Sequence, residues 1–168
     1  MKEKMIYTTC PHCGHVFQIK RDTFSIAGMN SIIDQRLKEG TYFTHICQKC
    51  KQPFYLFHPF LYRDPVLKYI LILSQQKSFE SLPEDEKIIV CKNVNQFLFS
   101  YKVLSQQLNL KFIFEKKKTL ENRIHHPVKF DSYDSINQCL WFYKNQQPIA
   151  LKLKEVEIEK VYDRINTL

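Results

Sequence analysis

The sequence is poor in the features that mark membrane and secreted proteins. No apolar run approaches the roughly 20 residues that a membrane-spanning helix needs. The opening stretch MKEKMIYTTC has no apolar segment of the kind found in a secretory signal. With only three glycines in 168 residues, each glycine is expected to have a specific backbone role. These absences predict a cytoplasmic protein without a membrane segment, in which cysteine thiols stay reduced.

Signature motifs of catalysis are also missing. The sequence has no glycine-rich dinucleotide loop, no phosphate-binding P-loop, no GxSxG nucleophile turn and no HExxH motif. Its acids and histidines form no pattern that brings them together. We therefore assign no catalytic residue, no organic cofactor and no small-molecule substrate, and a non-enzymatic role is favoured while the enzyme question stays open.

What the sequence does contain is two CxxC pairs. Cys10 and Cys13 lie in TTCPHCGHVF, Cys47 and Cys50 lie in ICQKCK, and 33 residues separate the pairs. Two intervening residues let both thiolates of a pair reach one ion at about 2.3 Å, and two pairs supply the four ligands of tetrahedral Zn²⁺. The prediction is one structural Zn²⁺ on these four cysteines. Iron on the same ligands, a redox pair and disulfides are the alternatives.

The residues beside the pairs favour metal-binding turns. Pro11 fixes φ at the start of the first turn, and Gly14 can take the left-handed conformation that points backbone N–H groups at sulfur. Lys51 stands at the equivalent place in the second turn, where a left-handed lysine costs about 1 kcal/mol. Four thiolates close the metal shell, which argues against a catalytic ion. His15 and His45 flank the pairs and are candidates for contacts with the ligands.

Hydrophobic periodicity predicts an α+β fold. HVFQIK and KYILIL are predicted strands, and TYFTHIC and PFYLFH are predicted to form a hairpin around the second CxxC pair. NSIIDQRLKEG is a predicted helix that ends at Gly40, with Ile32, Ile33 and Leu37 on one face. We expect a zinc-ribbon-like β module with this short inserted helix over residues 1–76, followed by a linker over 77–87.

A small mixed α+β module is expected over residues 88–168. IIVCK, PVKFD, QCLWFYK and IALKLK are predicted strands, VNQFLFSYKVLSQQLN and EVEIEKVYDRI are predicted helices, and LKFIFEKKKTLENRI is ambiguous between the two. Cys91 and Cys139 lie alone in apolar strands and are predicted to be small buried side chains.

Two partner classes are compatible with the composition. The net charge of +8 suits nucleic acid, with Lys49, Lys51 and the triplet 116–118 as contacts, but the charge is spread along the chain and the triplet is short. The aromatic stretch PFYLFHPFLY offers a surface for another protein. We favour a protein partner and keep nucleic acid as the alternative.

The segment from Cys10 to Pro65 resembles the bacterial CpXC family, which is named for its CPxC motif. The resemblance lies in TTCPHCG, in the second pair, and in PFLYRDP, which is close to the family pattern PLLYHDP with Phe60 and Arg63 as departures. It implies a ribbon-like N-terminal module in which Cys10, Cys13, Cys47 and Cys50 bind zinc. It implies no particular activity.

Overall fold

The fold combines small β-sheets with helices, as the sequence predicted. The computed structural model describes residues 3–76 and 82–163, and these ranges contain eleven strands and four helices. The chain divides into two compact units, Met1–Leu98 and Phe99–Leu168. In chain order the elements are β1 (Glu3–Thr9), β2 (Val16–Asp22), β3 (Phe24–Ile26), α1 (Ser31–Glu39), β4 (Thr44–Ile46), β5 (Pro53–Tyr55), β6 (Phe60–Asp64), β7 (Tyr69–Leu73), β8 (Lys87–Cys91), α2 (Val94–Leu104), α3 (Leu110–Ile124), β9 (Lys129–Asp134), β10 (Cys139–Lys144), β11 (Gln147–Lys152) and α4 (Glu155–Ile158).

Two antiparallel hairpins in the first unit each carry a CxxC pair at the tip. Strands β1 and β2 pair from Glu3 opposite Asp22 to Thr9 opposite Val16, and the short strands β4 and β5 form the second hairpin. The second hairpin and β2 confirm the sequence prediction. Strand β1 was not predicted, although Ile6 and Thr8 alternate with more exposed neighbours as in a half-buried strand.

A four-stranded sheet in the order β3-β6-β7-β8 forms the rest of the first unit's β structure. Strand β6 pairs parallel to β3 and antiparallel to β7, and β8 pairs parallel to β7. All five residues of β7 are buried, because its sequence YILIL is apolar on both faces, as an interior strand requires. The predicted second module began at residue 88, whereas β8 pairs with β7. Residues 77–81 of the predicted linker lie outside the described ranges.

Helix α1 matches its predicted bounds. Asn30 caps the first turn by accepting hydrogen bonds from the backbone N–H groups of Ile32 and Ile33, and Gly40 ends the helix at φ 77°. Ile33 and Leu37 are buried, but the prediction was wrong for Ile32, which is 71% exposed. Its position next to Ile33 turns it by about 100° away from the buried face.

The second unit packs helices against the antiparallel sheet β11-β10-β9. The ambiguous segment LKFIFEKKKTLENRI forms helix α3. Asn109 caps the N-terminus of this helix, because its side-chain Oδ1 accepts a hydrogen bond from the N–H of Phe112. Of the helix predicted over residues 155–165, the described part contains the single turn α4, and beyond it the Val161 carbonyl accepts from the N–H of Asn109. Residues 164 and 165 of that prediction lie outside the described ranges. The buried core consists of Val103, Leu108, Phe112, Ile113, Leu120, Val128, Phe130, Leu140, Phe142, Leu153 and Val161.

Candidate metal centre

The two CxxC turns have the same backbone hydrogen bonds. In the first turn the N–H of Gly14 donates to the Cys10 carbonyl at 2.9 Å, and the N–H of Cys10 donates to the His15 carbonyl at 2.9 Å. In the second turn the N–H of Lys51 donates to the Cys47 carbonyl at 2.9 Å, and the N–H of Cys47 donates to the Gln52 carbonyl at 3.1 Å. The equivalent residues Gly14 and Lys51 are both left-handed, at φ 75° and 63°. The predicted left-handed lysine is therefore confirmed.

The four cysteine sulfurs of these two turns lie close together. The Sγ atoms of Cys10 and Cys50 are 3.7 Å apart, those of Cys13 and Cys47 are also 3.7 Å apart, and all four lie within 4.8 Å of one another. A tetrahedron of sulfurs around an ion at about 2.3 Å has edges of about 3.8 Å. All four cysteines are free thiols. The arrangement therefore fits one metal ion, and it does not contain the disulfides of the alternative prediction.

Backbone N–H groups point at the sulfurs, as such a site needs. The N–H of His12 donates to Sγ of Cys10 at 3.4 Å. The N–H groups of Cys50 and Lys49 lower the pKa of the Cys47 thiol to about 6, against the opposite effect of burial. At Cys50 the Gln52 N–H lowers the pKa, but burial and the neighbouring thiols outweigh it and raise the pKa to about 12. Four thiols so close together share protons, which a bound cation replaces.

The four cysteines differ in how far they are exposed to solvent. Cys10 and Cys47, the first residues of the two pairs, are buried, whereas Cys50 is half-buried and Cys13 is exposed. Among the described residues, the groups that meet the geometry of a metal site are these four cysteines. Four thiolates complete a tetrahedral shell and leave no position for water or substrate. The site therefore suits a structural ion.

Aromatic contacts link the two hairpins that carry the cysteines. The ring of Phe17 on β2 stacks on His45 of β4 at 4.8 Å between centroids, and it meets the edge of Phe54 on β5 at 6.1 Å. Phe17 also stacks on its near neighbour His15 at 5.9 Å. The contacts of Phe17 with His45 and Phe54 bring together residues that are more than 25 positions apart, and they join the two hairpins.

The flanking histidines contribute to packing. His15 and His45 both stack on Phe17, and in the described part of the chain neither ring hydrogen-bonds a cysteine sulfur. Burial, together with the charge of Arg21, lowers the pKa of His45 below its usual range. His12 lies in the first turn, and its Nε2 contacts the Pro53 carbonyl at 3.1 Å. Cys91 and Cys139 are buried away from the four-cysteine group, as predicted.

The segment PFLYRDP, which carries part of the family resemblance, has structural contacts. The hydroxyl of Tyr62 donates to Oδ1 of Asp34 at 3.1 Å and thereby ties β6 to α1. Oδ1 of Asp64 accepts from the N–H groups of Val66 and Leu67 and shapes the turn between β6 and β7. These residues order the sheet next to the hairpins, and they do not contribute metal ligands.

Arg63 departs from the family pattern and has a specific partner. Its guanidinium forms a forked ion pair with Glu86, with a shortest distance of 2.6 Å from Nη2 to Oε1. The Glu86 hydrogen bonds raise the pKa of Arg63 further above its usual range. Because Glu86 follows 23 residues later, this pairing had no signal in the local sequence.

Comparison with known proteins supports the family resemblance. A family model described as CpXC protein matches residues 8–128, a range that begins at the end of β1 and ends just after α3. No curated protein and no solved structure matches the chain.

Proposed function

The chain belongs to the CpXC family, and on that premise we propose that it is a zinc-stabilised, non-enzymatic module that binds another protein. The observation that carries the proposal is the four-sulfur group, whose spacing fits a tetrahedral ion with a complete shell. Thiolate ligands favour Zn²⁺ over hard cations such as Mg²⁺ and Ca²⁺. Zn²⁺ also has no redox chemistry, which suits a structural ion. The ion stabilises the two short hairpins, which bury too few residues to be stable alone.

A metal assay tests the zinc site. We expect close to one Zn²⁺ per chain in protein purified under reducing conditions, and loss of most of this zinc in Cys47→Ser and Cys50→Ser. Cys139→Ala is the matched control, because it removes a buried thiol outside the four-cysteine group and is expected to keep the metal. Iron in place of zinc would correct the identity of the metal. A metal content that these cysteine variants leave unchanged would contradict the site.

The aromatic stretch predicted as the partner surface is partly internal. Leu56, Phe60 and Tyr62 are buried, while Tyr55 and Phe57 are each 38% exposed. A more exposed apolar surface lies on the outer face of the first hairpin, which we call the ribbon face and define by Met5, Tyr7 and Val16. Tyr7 is 76% exposed, and all three side chains lie on the solvent side of β1 and β2. Exposed apolar side chains grouped in this way are typical of protein-binding surfaces.

The contacts of the lysine triplet weigh against the nucleic-acid alternative. Lys116 pairs with Glu157, and Lys117 donates to Glu121 at 3.1 Å. Lys118 lies over the ring of Phe114 at 5.6 Å. Two of these three charges are thus neutralised within the second unit, so fewer remain for phosphate. Lys49 and Lys51 are exposed at the second cysteine turn and remain the basis of that alternative.

Affinity purification with surface variants separates the two classes. We expect the variant Tyr7→Gln/Val16→Gln to lose co-purifying protein while it keeps its zinc and its folded state. Ile136→Gln is the matched control, since Ile136 is an apolar residue that is 91% exposed in the second unit. Retention of the same partners by Tyr7→Gln/Val16→Gln would contradict the ribbon face. Partners that disappear after nuclease treatment, or with Lys49→Gln/Lys51→Gln, would favour nucleic acid.

A further inference from the structure

Several polar side chains of the first unit have solvent-shielded atoms that form no hydrogen bond with the described residues, and three of these side chains interact with one another. The three are the half-buried Arg21 on β2 and the buried Tyr42 after α1 and His58 before β6. Tyr42 is 4% exposed and His58 is 1% exposed. Arg21 Nε, the Tyr42 hydroxyl and both ring nitrogens of His58 are shielded from solvent and form no hydrogen bond with the described residues. Buried donors in folded proteins nearly always have an acceptor, so each of these atoms requires an explanation.

These side chains belong to one group around Tyr42. The rings of Tyr42 and His58 are 6.0 Å apart between centroids, and the guanidinium of Arg36 lies 6.0 Å from the centre of the Tyr42 ring. Arg21 interacts electrostatically with Tyr42, His58 and Arg36. The charged groups that act on Tyr42 are the carboxylate of Asp22 and the two guanidinium groups of Arg21 and Arg36. Together these three side chains have one more positive charge than negative.

The charges of this group repel one another. Burial lowers the pKa of Arg21, and the neighbouring charge of Arg36 lowers it further. Arg36 uses Nη2 to donate to the Thr41 carbonyl at 2.8 Å, which fixes its guanidinium beside Tyr42. The pKa of His58 falls to about 4, through burial and then the charge of Arg21, so at pH 7 its ring is a neutral donor and acceptor. The backbone carbonyls of Leu56 and Asp22 act in the opposite direction, although no hydrogen bond of good geometry joins them to the ring.

What would complete this group is a negatively charged acceptor. We propose that Arg21, Arg36, Tyr42 and His58 bind one small oxyanion, recognised through its phosphate or carboxylate oxygens. A water molecule can satisfy a buried donor, but only an anion also offsets the repulsion between Arg21 and Arg36. The deep burial of Tyr42 and His58 restricts the ligand to a small free anion and excludes a nucleic-acid backbone. This site is independent of the four cysteines and of the ribbon face.

Titration of the intact protein tests the proposal. Inorganic phosphate, sulfate and acetate are each added to the metal-containing chain at pH 7.5 and constant ionic strength, with chloride as the reference, and binding is followed by calorimetry and by the melting temperature. We expect saturable binding of at least one of these anions with a Kd of about 1 mM or tighter. Comparison of phosphate and sulfate with acetate identifies the preferred class. Zinc is measured before and after, so that binding is separated from metal loss.

Two variants assign the binding to this group. Tyr42→Phe removes only a hydroxyl that has no partner, so it is expected to fold normally and to weaken anion binding by about tenfold. Arg21→Gln is expected to weaken it by at least as much. Lys20→Gln is the matched control, because it removes a positive charge from the adjacent exposed position of the same strand and should leave the affinity unchanged.

Two results would overturn the proposal. If none of the three anions binds saturably, the acceptor in this group is an ordered water molecule. Any anion found there would then be an adventitious ion only. Binding that Tyr42→Phe and Arg21→Gln leave as strong as in the unmodified chain would place the anion elsewhere. Where Arg21→Gln does not fold, Tyr42→Phe together with Arg21→Lys decides the outcome.

Discussion

Lys51 carries backbone strain that its counterpart Gly14 avoids. Both residues are left-handed, and a side chain in that conformation costs about 1–2 kcal/mol. We expect Lys51→Gly to stabilise the metal-bound protein by up to about 1 kcal/mol, since part of the gain is offset by the larger freedom of glycine in the unfolded chain. Equilibrium denaturation of the zinc-bound form measures this difference.

The control for Lys51→Gly is Lys49→Gly, which removes the same charge from the same turn at a position without positive φ. We expect Lys49→Gly to be neutral or destabilising. The converse change, Gly14→Ala, adds a methyl group that meets no atom within 4 Å, so its expected cost of about 1 kcal/mol is backbone strain alone. Equal effects of Lys51→Gly and Lys49→Gly would show that backbone strain at residue 51 does not matter.

His58 makes the stability of the first unit depend on pH. Its pKa falls from 6.5 to about 4 on folding, mainly through burial, so the unfolded chain takes up a proton before the folded chain does. This contribution is fully present above pH 6.5 and is lost as the pH falls from 6.5 to about 4. The loss amounts to at most roughly 3 kcal/mol. We expect His58→Phe, whose ring suits the neighbouring aromatic side chains, to remove this part of the pH dependence.

The measurement for His58→Phe is the free energy of unfolding between pH 4 and pH 7 in chloride buffers, with metal content followed in parallel. Acid also removes metal from thiolates, so the informative quantity is the difference between the variant and the unmodified chain. His126→Gln removes a loop imidazole of the second unit and is expected to keep the original slope. A slope that His58→Phe does not change would show that His58 is not held neutral.

At the scale of elements, helix α1 depends on its N-terminal cap. Asn30 accepts hydrogen bonds from two backbone N–H groups, at 3.1 Å and 3.2 Å. We expect Asn30→Ala to destabilise the protein by about 1 kcal/mol and Asn30→Ser to restore most of the loss. Thermal unfolding of the three proteins checks this. Equal melting temperatures for the alanine and serine variants would contradict a capping role.

The pair Arg63–Glu86 joins β6 to the residue that precedes β8. Arg63→His introduces the residue of the family pattern and leaves Glu86, whose side chain is 4% exposed, without its partner. An unpaired buried carboxylate is unfavourable, so we expect a lower melting temperature. The double variant Arg63→His/Glu86→Gln should recover part of the loss, because it removes the unpaired charge. Failure of the second change to recover any stability would show that the ion pair is unimportant.

Local patterns predicted those elements whose signals lie within a few residues. Gly40 marked the end of α1, and the apolar run Tyr69–Leu73 marked a buried strand, since caps and periodicity act over one or two turns. The end of α4 at Ile158 carried no local signal, and beyond it the Val161 carbonyl accepts from the N–H of Asn109, a contact between distant parts of the sequence. The group of Arg21, Tyr42 and His58 likewise arises from three separate segments, so no spacing in the sequence indicated it.

The cysteine site was predictable for a different reason. A CxxC pair is a local signal, and a tetrahedral ion requires two such pairs. The need for four ligands therefore predicts that the two pairs lie close together in the fold, which hydrophobic periodicity alone does not. The contacts that bring the pairs together, such as the stack of Phe17 on His45, are long-range, and no local pattern in the sequence predicts them. At the scale of the whole molecule, the metal site and the sheet β9–β11 lie in different compact units, and the second unit has an apolar core of its own.

This division predicts that metal removal acts on one part of the chain. We expect a strong chelator to increase hydrogen exchange in β1, β2, β4 and β5, because these short hairpins depend on the ion at their tips. Exchange in β9–β11 should stay slow, since Leu140 and Phe142 lie in a core that contains no metal ligand. Mass spectrometry of peptides from the two regions, with Cys139→Ala as a control that keeps its metal, measures the difference. Unchanged exchange in the hairpins after complete metal removal would show that packing of Phe17 with His45 and Phe54 is sufficient to hold them.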